Sequence, residues 1–130
     1  MIIGDRVDKI EAEIKERKPH EGLKLNIGIR GVEKKENQIL IRYAYEVVYE
    51  GVGVIRVEGV VMAEEDEKKT KEILESWEKK KKLPNDYMER LLNAINYTCT
   101  SHATIVARVL NYPPPLTPPR LTIRENKNKK

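Results

Sequence analysis

Phenylalanine is absent from this chain of 130 residues, and tryptophan and cysteine occur once each, as Trp77 and Cys99. Without phenylalanine, the aromatic part of any core must come from six tyrosines and that one tryptophan. A small core, or one completed by a partner chain, is expected. A lone cysteine excludes an internal disulfide and suits a reducing compartment. With only two histidines, His20 and His102, the chain is also short of the ligands that an ordinary zinc centre needs. No stretch approaches the about 20 consecutive apolar residues of a membrane-spanning helix, and Met1-Ile2-Ile3-Gly4-Asp5 meets charge too early for a signal peptide. The expected location is the cytoplasm. Charge of one sign is lacking as well: 25 basic residues are mixed with 21 acidic ones, a net of +4, so no chain-wide basic field demands a nucleic-acid partner.

What is present is one domain's worth of chain, expected to span residues 1–123 and to end in a disordered basic tail, 124–130. Val7, Ile10, Ala12 and Ile14 alternate with charge in a way that suits a strand or a short amphipathic helix, and a strand is the preferred reading. After Pro19-His20-Glu21-Gly22, the residues Leu23, Leu25, Ile27 and Ile29 alternate strictly with Lys24, Asn26, Gly28 and Arg30. That is the two-residue period of a strand with one wet face. Lys34-Lys35-Glu36-Asn37 reads as a polar turn. Ile39 to Tyr49 and Val52 to Met62 are rich in Val, Ile and Tyr and are separated by Glu50-Gly51. Runs joined across so short a gap pair antiparallel, because a parallel return needs a crossover of about a dozen residues. Gly59 marks a bulge or a close approach of another backbone.

From Glu64 the period becomes helical. Acids open the segment at Glu64-Glu65-Asp66-Glu67 and bases close it at Lys79-Lys80-Lys81-Lys82, the charge order that suits a helix dipole. Leu83-Pro84 ends it, and Asn85 or Asp86 can cap a second helix running from about Asp86 to Leu110. Met88, Leu91, Leu92, Ile95, Cys99, His102, Val106 and Val109 or Leu110 line one side of that helix; Tyr97, Ser101, Thr104 and Arg108 line the other. The helix breaks into Tyr112-Pro113-Pro114-Pro115-Leu116-Thr117-Pro118-Pro119, an extended strap, and Leu121 to Ile123 could add a short extended piece. The class is α+β: a four-stranded antiparallel sheet packed by two helices, with a proline-rich strap and a basic tail.

Residue types that carry chemistry are few. Cys99 and His102 stand three apart on the second helix, but a third metal ligand is missing, and nothing supplies the oriented base and oxyanion site of nucleophilic catalysis. Gly51-Val52-Gly53 lies between two strands, where a dinucleotide loop does not belong. A catalytic site, a metal and a cofactor are therefore not expected, and a binding module is. Lys79 to Lys82 with the tail and the strand tyrosines would make a small nucleic-acid-binding surface, the alternative reading.

Leu23-Lys24-Leu25-Asn26-Ile27 as second strand, Ile39 through Val61 as central hairpin, and a helix leaving through Tyr112-Pro113 and Pro119 together resemble the SecB family of export chaperones. The chain departs from the family in ending on a short lysine-rich tail instead of a second long helix, and in carrying the charged segment Glu64 to Lys82 between the last strand and the main helix. No acidic surface that would dock a motor ATPase is evident. The resemblance implies an ATP-independent holdase that binds unfolded or precursor polypeptides in apolar grooves, works as a homodimer or homotetramer and possesses no cofactor. Groove candidates near the helix–sheet seam are Tyr43, Tyr45, Trp77, Leu91, Leu92, Ile95, Tyr97, Tyr112 and Leu116.

Overall fold

The computed structural model describes residues 1–115. Four strands, β1 (Ile2–Ile14), β2 (Leu23–Lys35), β3 (Gln38–Tyr49) and β4 (Gly53–Ala63), precede two helices, α1 (Glu67–Lys80) and α2 (Asn85–Val109). All neighbouring strands are antiparallel, in the order β1-β4-β3-β2. The central pair β3–β4 has the cleanest alternation. On β3 the odd residues from Ile39 to Tyr49 are buried, while Arg42 on the other face is exposed.

β2, β3 and β4 form a meander, and β1 lies beside β4, which makes the order Greek-key. The link from β1 to β2 therefore crosses the end of the sheet. It wraps the β3–β4 turn, where Lys15 N–H donates to the Val52 carbonyl at 2.7 Å and Glu21 N–H donates to the Glu50 carbonyl at 3.0 Å. Gly51 makes the turn with a φ of 80° that only glycine adopts without strain. The hairpin between β2 and β3 is tighter than the sequence implied. Lys34 and Lys35 belong to the strand and pair with Ile39 and Gln38, leaving Glu36-Asn37 as the turn. Gly59 does mark a close approach, since a Cβ there would collide with the Arg6 carbonyl of β1 and the Tyr43 hydroxyl.

α1 is capped as its charges suggest: the Asp66 carboxylate accepts the Lys69 N–H at 2.7 Å, and Lys81 closes the other end in the left-handed conformation. Its buried face is Thr70 and Ile73. The start of α2 differs from expectation. The cap position is Pro84, whose fixed φ suits it, and neither Asn85 nor Asp86 caps with its side chain. The core spine of α2 is Tyr87, Leu91, Ile95, Cys99, Ala103 and Ala107, four residues apart throughout. The expected face is thus rotated: Leu92, Met88, His102 and Val106 are half-buried at its margins, and Val109 is exposed. Ala103 and Ala107 are the small, fully covered members of that spine. The expected extended piece at Leu121 to Ile123 and the tail 124–130 lie outside the described residues.

Candidate functional site

β2 is an edge strand, with β3 on one side and no strand on the other among the described residues. Its first inward-facing residues, Leu23 and Leu25, sit opposite Tyr49 and Val47 of β3, yet they are 42% and 48% exposed because α2 does not cover them. The side of α2 nearest to them carries Leu92, Asn96, Thr100 and Thr104, each half-buried, at the four-residue spacing that keeps them on one flank. Thr100 Oγ1 donates to Asn96 Oδ1 at 3.0 Å and accepts the Tyr45 hydroxyl at 2.9 Å. That chain of bonds tethers helix flank to sheet.

Between flank and edge lies a recess of about 190 Å³ lined by Leu23, Leu25, Tyr45, Val47, Asn96, Thr100 and Pro115. It is smaller than the 300 Å³ or so at which small-molecule pockets begin, and it is roomy enough for one or two side chains of a chain lying along β2. Backbone N–H and C=O groups on the outer side of β2, greasy side chains and an adjoining hydroxyl-amide rim are the parts that strand addition uses.

The expected groove residues are not brought together. Tyr43, Tyr45, Leu91 and Ile95 are core residues, at most 2% exposed, because they fill the seam itself; only Tyr45 reaches the recess, as its floor. The Tyr43 hydroxyl lies near the Cys99 thiol without a hydrogen bond of ordinary geometry, and burial raises both groups above their usual pKa. Trp77 is half-buried on α1, with the Lys81 ammonium 5.4 Å from its ring centroid. Leu92 is half-buried on the same flank of α2 as Asn96 and Thr100 but does not line the recess. Tyr97 is 81% exposed and points away from the sheet. Tyr112 is buried against Tyr49 and His20, and Leu116 lies outside the described residues. Sequence reasoning missed Leu23 and Leu25 as surface residues, having placed them on a covered face, and passed over Asn96 and Thr100. Strand alternation gives the face of a residue but not the reach of the helix above it.

The remaining chemistry is sparse. Cys99 is fully buried, with its thiol pushed up by desolvation, which makes it a poor nucleophile and a poor ligand. Among the described residues no three His, Cys, Asp or Glu side chains converge on a metal position. A cleft of about 630 Å³ beside α1 is lined mainly by carboxylates, including Glu64, Glu65, Asp66, Glu67, Glu75 and Glu78. The strand tyrosines Tyr43, Tyr45 and Tyr49 face inward, so they cannot form the stacking surface of the nucleic-acid reading. No described helix is long and apolar enough to cross a membrane.

No protein-family model matches the sequence. No curated protein sequence matches it either. A solved structure does resemble it: the Rv1957 SecB-like chaperone of Mycobacterium tuberculosis, in complex with a ChAD peptide from the Rv1956 HigA1 antitoxin. The likeness covers 95% of this chain and 91% of that one, with a TM-score of 0.58 and 15% sequence identity. The chain therefore has the α+β fold of a SecB-like chaperone, a four-stranded antiparallel sheet carrying two helices.

Proposed function

We propose that the protein is an ATP-independent, non-enzymatic holdase that takes unfolded or precursor polypeptides, for export or for another route, along the β2 edge and the neighbouring flank of α2. The observation that carries this reading is Leu23 and Leu25, exposed on an edge that no strand pairs among the described residues, beside a helix that stops short of them. An extended client would add as a strand through main-chain bonds and drop alternate apolar side chains into the recess, a mode that tolerates many sequences. The likeness to a chaperone that was solved with a peptide supports the same reading. In the cytoplasm, the reducing kind of compartment that a lone cysteine suits, such a protein would need no nucleotide.

The opposite edge suits a second copy. An irregularity between Val7 and Lys9 keeps Val7 and Ile10 on one face of β1, opposite Gly59 and Val57 of β4. Two antiparallel β1 strands can then set Val7 against Ile10, Arg6 against Glu11 and Asp8 against Lys9 of the other copy, so that each charge meets its opposite. Ile105 and Val109, 61% and 74% exposed, lie on the flank of α2 away from Asn96 and Thr100 and would be covered in the same assembly.

The test is suppression of aggregation of a reduced, unfolded client by stoichiometric protein. Wild type should keep the client in solution with little dependence on salt, and Leu25→Asp should lose most of that effect while remaining folded. Equal activity of Leu25→Asp and wild type would refute the site. Binding to single-stranded nucleic acid that collapses as salt is raised would favour the other function. Ile95→Asp is unsuitable as a binding variant, since Ile95 is buried and its loss reports on folding.

A further inference from the structure

We propose that the segment Tyr112–Pro115 is a built-in competitor, a strap that occupies the mouth of the β2–α2 recess and must be released before a client enters. This rests on the holdase reading of the same site. The path of the strap is set by a clasp at the end of α2. Asn111 turns the chain with a φ of 57°, and Tyr112 N–H returns to the Ala107 carbonyl at 2.9 Å. Arg17 Nη1 donates to the carbonyls of Leu110 at 2.5 Å and Asn111 at 3.1 Å, neutralising the negative end of the helix. The Tyr112 hydroxyl donates to the Lys18 carbonyl at 2.7 Å, and the Tyr49 hydroxyl donates to the Pro113 carbonyl at 2.9 Å. The two rings meet edge to face, 4.9 Å between centroids.

Beyond the clasp come three prolines in succession, and Pro115 lines the recess with Leu23, Leu25 and Thr100. Proline holds the strap extended and offers no N–H, so the strap covers apolar surface without donating a hydrogen bond to the β2 edge. Its hold is therefore one-sided: two tyrosine hydroxyls anchor its start, and from Pro113 to Pro115 it has no donor with which to pair a strand. A cover held in this way lowers the apparent affinity for a client by the fraction of molecules in which the mouth is open. Weakening the clasp should raise that fraction.

The experiment compares the full chain with Tyr49→Phe/Tyr112→Phe, which keeps both rings and removes both hydroxyls; Tyr49→Phe alone is the milder variant should the double fail to fold. Strap opening is read without any client by introducing Asn96→Cys on the helix flank and following its alkylation by a maleimide, Cys99 being buried. Labelling should accelerate about fivefold in Tyr49→Phe, the shift expected from one lost hydrogen bond, and further in the double variant, which loses two. Client affinity, measured with reduced and alkylated α-lactalbumin, should tighten by a similar factor. An unchanged labelling rate, or weaker client binding in the clasp variants, overturns the competitor. Faster labelling, with no client bound by wild type or variant, upholds the strap and overturns the holdase.

Discussion

At the scale of single residues, the interior tyrosines do the work that phenylalanine does in other cores, and each brings a hydroxyl that must be placed. Tyr45 bonds to Thr100 and Tyr49 to Pro113, whereas the hydroxyls of Tyr43 and Tyr87 are buried without a partner among the described residues. Burial is the first cause of a raised pKa in all four; Tyr49 and Tyr87 are pushed from 10.0 to about 12. A phenol whose folded pKa lies above its unfolded value holds its proton better in the native state. Its contribution is fully present below pH 10 and is lost as pH rises through the window up to about 12. The buried Cys99 thiol, also raised, works in the same direction from its usual value of 9.0. Thermal unfolding midpoints should accordingly be level between about pH 7 and 9 and fall steeply above about pH 10. Tyr49→Phe should make the fall shallower, and a midpoint that holds steady to pH 12 would contradict these burials.

At the scale of elements, β2 to β4 were legible in the sequence because alternating apolar residues fit only the pleat, and short gaps allowed only antiparallel pairing. β1 was less so, since Val7, Ile10, Ala12 and Ile14 straddle a change of register that breaks the strict period. The place of β1 beside β4 was not legible at all, because neighbours in a sheet are chosen by tertiary packing. On α2, a search for large apolar residues favoured Leu92, His102 and Val109 and passed over Ala103 and Ala107, which face the sheet because they are small. The same blind spot hid the candidate site. Leu23 and Leu25 have the pattern of core residues, and only the position of α2 leaves them uncovered. The two helix starts should also respond differently to truncation. Asp66→Ala removes a bonded cap and should cost about 1 kcal/mol in urea unfolding. Asn85→Ala, next to a cap position that uses no side chain, should fall within about 0.5 kcal/mol of wild type.

At the scale of the whole molecule, the two sheet edges are chemically unlike, as the proposed division between a client at β2 and a second copy at β1 requires. β1 carries alternating acids and bases that match themselves in reverse, while β2 presents leucines beside a polar helix flank. Reversing one charge on β1, Arg6→Glu, should shift the assembly toward monomer in sedimentation at moderate salt, and Arg6→Glu/Glu11→Arg should restore it. Monomeric wild-type protein, or a charge reversal without effect, would remove β1 from the interface.

The most direct measurement of the central claim is residue-resolved amide hydrogen exchange with and without a saturating unfolded client. Slower exchange should concentrate in β2 from Leu23 to Arg30, with the amides of α1 unchanged. Protection that falls on α1 or the outer face of the sheet while β2 exchanges as before would contradict it.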